Sequence, residues 1–154
     1  MKTEVNPPTQ VDLTTYEKFI FLAGSIEMDK AEMWQERVID LIKDDGVWEI
    51  CIFNPRRRDW DSSWEQTIKN PHFKEQVNWE LNSIEHSDTI LFYFQPNTKS
   101  PISLLELGMC SNYVDKKIIV CCPDGFWRKG NVDIMCERMD IPVYTDLEEA
   151  VKAI

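Results

Sequence analysis

The stretch DTILFYFQPNTKSPISLLELG, residues 88–108, contains one complete folding unit and decides the architecture. After Asp88, residues 89–94 form an unbroken run of strand-forming, mostly β-branched and aromatic residues, as expected of a strand buried on both faces. Gln95 to Lys99 interrupt the run with turn-forming residues, and Ser100-Pro101 introduces a leucine-rich segment that predicts a helix over about 103–113. Strand, loop and helix in that order indicate a parallel sheet.

The same unit recurs along the chain. KFIFLAG (18–24) reads as a buried strand closed by glycine. The helix after it begins at a capping-box-like pair, Asp29 and Glu32, and carries Ala31, Trp34, Val38, Leu41 and Ile42 at helical spacing. WEICIFNP (48–55) is a second strand, followed by the charged, tryptophan-bearing loop RRRDWDSSWEQTIKN. A helix over 71–87 presents Phe73, Val77, Leu81 and Ile84 on one side. KKIIVCC (116–122) is a further strand, NVDIMCERM a helix, IPVY (141–144) a short edge strand, and DLEEAVKAI a terminal helix capped by Asp146. The pattern predicts an α/β fold with a five-stranded, doubly wound parallel sheet covered by helices on both faces. Residues 1–15, lacking an apolar run, read as a flexible lead-in, and 16–154 as a single domain.

Bulk composition narrows the function. The 154 residues are 43% hydrophobic and carry a net charge of −10. That charge repels polyanions, and only Arg56 to Arg58 form a basic cluster, which argues against a nucleic-acid polymer as partner. No apolar run reaches the roughly 18 residues that a membrane-spanning helix needs. The N-terminus lacks a signal-peptide core, so a cytoplasmic protein is expected. The five cysteines lie mostly in apolar runs without metal-site spacing, and His72 and His86 are isolated. This predicts buried free thiols and no metal or organic cofactor.

In parallel α/β sheets, ligands bind beyond the carboxyl ends of the strands. Gly24 and Ser25 stand there after the first strand, where a close backbone approach and a hydroxyl suit an anion or sugar. Asp59 and Trp60 follow the second strand; an aromatic face stacks on a heterocycle and a carboxylate accepts its donors. Glu80 shares a helix face with Gln76, four residues away, and borders the apolar stripe. Glu106 sits among Leu104, Leu105 and Leu107, beside Gly108, which allows tight packing. One reading makes it an acid placed early in a helix by the helix dipole. The other makes it a desolvated nucleophile.

The ordered motifs FLAGSI, NPRRRDWD, EQVNWELNSIEHSDTILFYF and SPISLLELG resemble the nucleoside 2-deoxyribosyltransferase-like superfamily. The resemblance runs from about Phe19 to Val143 and is closest to the branch with Asn-Pro-Arg-Arg and Asp-Trp-Asp signatures. It implies a flavodoxin-like sheet and cleavage of the N-glycosidic bond of a nucleoside or its 5′-monophosphate. It implies Glu106 as nucleophile and Glu80 as acid or orienting group, with Gly24, Ser25, Asp59, Trp60, Ser100 and Ser103 around the substrate. Arg128 and Asn131 would contact phosphate or base, within the chain or across a homo-oligomeric interface. The chain departs from the pattern at Phe21, where well-studied members carry tyrosine, and in the loop before Glu106, which carries Pro101, Ile102 and Ser103 where the monophosphate hydrolases have glycines. A nucleotide-binding sensor that kept the fold without turnover is the alternative.

Overall fold

The computed structural model describes residues 1–27 and 31–154. Six strands form one parallel sheet: β1 (Lys2–Val5), β2 (Lys18–Gly24), β3 (Ile50–Phe53), β4 (Thr89–Tyr93), β5 (Lys117–Cys121) and β6 (Val143–Tyr144), in the order β1-β3-β2-β4-β5-β6. The doubly wound parallel architecture agrees with the sequence reading, with one strand more than expected.

That extra strand corrects the reading of the N-terminus. Lys2–Val5 pairs with Ile50–Phe53 along the outer edge of the sheet. An edge strand is held through its backbone and needs no apolar run, which is why the segment KTEV gave no strand signal. Side chains secure it further. Val5 is buried, and the Lys2 ammonium donates to the Ile39 and Ile42 carbonyls (2.5 and 3.1 Å) at the end of α1 (Trp34–Leu41). The lead-in continues across α2 (Pro71–His86), where the Trp79 indole donates to the Thr9 carbonyl at 2.8 Å.

The helices divide between the faces. Against one face, α1 and α5 (Leu147–Val151) pack Trp34, Val38, Leu147 and Val151 onto Ile20, Leu22, Ile52, Leu91 and Ile119. Against the other, α2, α3 (Pro101–Cys110) and α4 (Lys129–Arg138) bring Trp79, Leu107 and Val132 onto Phe21, Phe53, Phe92 and Val120. Neighbouring strand residues thus face opposite cores, and both cores are apolar. The five cysteines are buried and unpaired.

Local chemistry fixes the helix ends. Asn70 accepts from the His72 and Phe73 amides, with Pro71 in the first turn, so α2 starts where the sequence places it. Asp146 caps α5 by accepting from the Glu149 amide, also as read. The proposed cap of the first helix at Asp29 lies outside the described residues. β2 and β4 are neighbours paired to their carboxyl ends, and the connections that leave them pass to opposite faces, to α1 and to α3. That switch point opens the crevice in which such sheets hold ligands. No helix among the described residues is long and apolar enough to cross a membrane.

Candidate active site

The crevice is a cavity of about 740 Å³, within the range of small-molecule sites. Its walls come from β2 and the loop after it, the Arg57–Trp60 loop, one face of α2 and one face of α3. Most of the lining is apolar, and Glu80 and Glu106 both belong to it.

Glu106 reaches the cavity through a chain of fixed contacts. Ser25 at the end of β2 accepts from the Gln95 amide at 3.1 Å. Its hydroxyl lies 2.7 Å from that of Thr98 and 2.6 Å from that of Ser100, and Thr98 and Ser100 are 3.0 Å apart. Thr98 donates its own hydrogen to the Gln95 carbonyl at 2.8 Å, so two hydrogens serve the three contacts. Glu27 adds a second anchor, its Oε1 accepting from the Lys99 and Ser100 amides (2.7 and 3.1 Å). Ser100 is thereby held in the left-handed region (φ 45°) and turns the chain sharply into α3.

The cluster is buried, and Thr98, which the sequence reading passed over, is its hub. Thr98→Val should cost about 1–3 kcal/mol by removing the oxygen that the buried Ser25 and Ser100 hydroxyls both contact, a loss readable from the urea midpoint.

The turn at Ser100 moves the start of α3 forward to Pro101, so Glu106 is the sixth helical residue instead of the fourth. Helix-dipole effects fade within the first turn, which removes that explanation for an acid at this place. Glu106 is 8% exposed, and its Oε2 has no hydrogen-bond partner among the described residues. Burial first, and the charge of Glu80 second, push its carboxyl up to about 8. Burial likewise pushes Glu80 up to about 7, against an opposing hydrogen bond from Gln76. Two acids that share a desolvated space retain a proton near neutral pH, and the larger rise favours that proton on Glu106.

The other sequence candidates divide. Gly24, Trp60, Ser100 and Ser103 line the cavity, and Ser25 lies buried behind Ser100. Gly24 also has a packing reason to be glycine: a Cβ there would stand 2.3 Å from the Tyr93 carbonyl oxygen. Gly108, by contrast, has nothing within 4 Å of such a Cβ, so tight packing does not explain it. Asp59 is absent from the cavity wall. Its carboxylate pairs with Arg57 at 2.8 Å and borders a separate hollow beside the N-terminal segment. Arg57 also pairs with Glu75 (3.1 Å) and lies over the Trp64 ring, which in turn packs on Trp60 and stacks on His72. The tryptophan loop is therefore braced on α2, with Trp60 turned to the cavity.

Arg128 and Asn131 are exposed and do not line the cavity of their own chain. Arg128 lies over the Trp127 ring, whose indole donates to the Lys99 carbonyl at 2.9 Å. Phe21 does line the cavity, and has no hydroxyl to offer Glu106.

A family model described as nucleoside 2-deoxyribosyltransferase like matches residues 17–126. The chain belongs to the nucleoside 2-deoxyribosyltransferase-like family. The matched span runs from β2 to the loop before α4 and contains Glu80, Glu106 and the whole hydroxyl cluster. Membership suggests a nucleoside-processing enzyme of the glycosyl-transfer class, with a small molecule as substrate. Comparison with curated proteins gives no match.

Proposed function

We propose that the protein cleaves the N-glycosidic bond of a (deoxy)nucleoside or its 5′-monophosphate through a glycosyl ester on Glu106. The observation that carries this reading is the pair of carboxylates, Glu106 buried and Glu80 half-buried, that line one apolar cavity of nucleoside size from two helices. With the proton the pair retains moved to Glu80, the ionised Glu106 attacks C1′ as the C1′–N bond breaks through an oxocarbenium-like transition state. The bond's electron pair passes to the base nitrogen, which Glu80 protonates. Another base or water then opens the ester, and Glu80 takes back the proton. Low polarity around Glu106 strengthens its attraction to the developing positive charge. Trp60 supplies a flat surface for the base, while Ser100 and Ser103 lie where the sugar or its 5′ group would enter. The reaction as written uses no metal or organic cofactor.

The test is incubation with deoxynucleosides, ribonucleosides and their monophosphates, with and without a free base, followed by chromatography. Base release without an acceptor identifies a hydrolase, and exchange identifies a transferase. A trapped sugar should be found on the peptide containing Glu106. Tight binding with neither outcome supports the nucleotide-sensor alternative, which the unpartnered Glu106 Oε2 and the hydroxyl-free Phe21 favour.

The same reading includes a homo-oligomer. Ile102, Leu105 and Met109 repeat at helical spacing on α3 and are 57%, 72% and 38% exposed at the cavity mouth. A second copy would cover this lip and finish the pocket wall, bringing exposed groups such as Arg128 within reach. Leu105→Glu should therefore convert the assembly to monomer in sedimentation and lower activity with it. A wild-type protein that sediments as a monomer would remove this part of the reading.

A further inference from the structure

We propose that Gln76 is a positioning residue that holds one carboxylate oxygen of Glu80 and leaves the other to carry the transferred proton. This rests on Glu80 being the acid of the proposed reaction. Gln76 is 6% exposed and precedes Glu80 by one helical turn on the cavity face of α2. Its Nε2 donates to the Pro55 carbonyl at 3.2 Å and to Glu80 Oε1 at 2.7 Å, so both amide hydrogens are used. Rotating the amide by half a turn would set its oxygen against the Pro55 carbonyl, two acceptors facing each other. Pro55, a backbone group that cannot titrate, therefore dictates which end of Gln76 meets Glu80. With Oε1 already accepting a hydrogen, a proton on Glu80 is favoured on Oε2.

The other end of the amide supports the same assignment. Gln76 Oε1 is buried without a partner among the described residues. Such an acceptor costs about 1–3 kcal/mol, and an apolar side chain of similar size would avoid that cost. The contacts of Nε2 are what a leucine could not supply. The other charged groups lining the cavity are Glu106 on α3, Glu27 after β2 and Arg57 after β3. Arg57 is committed to Asp59 and Glu75, and Glu27 to the loop amides, so Gln76 is the group placed to orient Glu80.

The test compares wild type with Gln76→Leu, and with Gln76→Asn should the leucine variant fail to fold. The Glu80 carboxyl is titrated by carbon NMR in each. Loss of a hydrogen bond that favours the charged form should raise its pKa, and an unchanged or lowered value overturns the proposal. In parallel, turnover of an ordinary purine deoxynucleoside is compared with that of its N7-methyl cation, whose base departs without protonation. The variant should slow the first by about 100-fold and the second by no more than a few-fold. Equal slowing of both assigns Gln76 a merely structural part and overturns the proposal. If wild type cleaves neither compound, the glycosidic reading fails while the NMR titration still decides the role of Gln76.

Discussion

Glu106→Gln is expected to lower glycosidic turnover by on the order of 10⁴-fold or more and, in the same protein, to raise stability at neutral and alkaline pH. Both effects come from one carboxyl placed where its charge is costly. The glutamine keeps the shape but cannot form the glycosyl ester, so no sugar should be trapped on its peptide. The stability change has a definite pH window. In the unfolded chain the Glu106 carboxyl titrates near 4.5, and in the folded protein burial and Glu80 hold it up to about 8. A raised carboxyl binds its proton more tightly when folded, so wild-type stability declines as pH rises from about 4.5 toward 8. Glu106→Gln removes that decline at its source. The gap between variant and wild type should be small below pH 4.5, widen through neutrality and level off above about 8. Urea midpoints across that range provide the measurement. Equal midpoints at every pH, together with full activity, would sink the assignment of Glu106.

Gly24→Ala should produce the largest stability loss of an alanine placed at any of the five glycines, about 3–5 kcal/mol. The new Cβ would lie 2.3 Å from the Tyr93 carbonyl oxygen and 2.8 Å from Trp34 Cζ2, at a backbone φ of 156°. Gly24 pairs with Tyr93 at the ends of β2 and β4, so relief requires the two strands to part at the switch point. Ser25 would move with them, releasing its contacts to Thr98 and Ser100 and therefore the entry into α3. Activity should fall along with the urea midpoint. Gly108→Ala is the matched control. It sits inside α3 with no atom within 4 Å of the added methyl, and should stabilise by about 1 kcal/mol. A Gly24→Ala protein as stable as wild type would mean that β2 and β4 are not packed this closely.

Much of the site was legible in the order of residues because it stands just past buried strands. Gly24, Trp60, Ser100, Ser103, Glu80 and Glu106 all come from strand ends or the helix faces next to them, and all reach the cavity. Other candidates stand off the cavity of their own chain, for identifiable reasons. Asp59 lies two residues from Arg57, and that local ion pair turned it away from the cavity. Arg128 and Asn131 belong to a loop and helix that start beyond the crevice of their own chain. Thr98 was missed because an isolated threonine in a proline-bearing loop has no periodic signal; only the fold sets its hydroxyl between Ser25 and Ser100.

The order of apolar runs and turn residues determined by itself the alternation of strands and helices, the parallel sheet and the end of the sheet where chemistry is placed. Those properties follow from short-range periodicity, which any segment carries within itself. Tertiary structure alone decided three things: the sixth strand at Lys2–Val5, the forward start of α3 that puts Glu106 beyond the helix dipole, and the raised proton affinity of Glu80 and Glu106 in one cavity. Each depends on backbone pairing or on contacts between residues remote in the chain. A carboxyl's proton affinity is set by what surrounds it in space, and its neighbours in sequence do not record that.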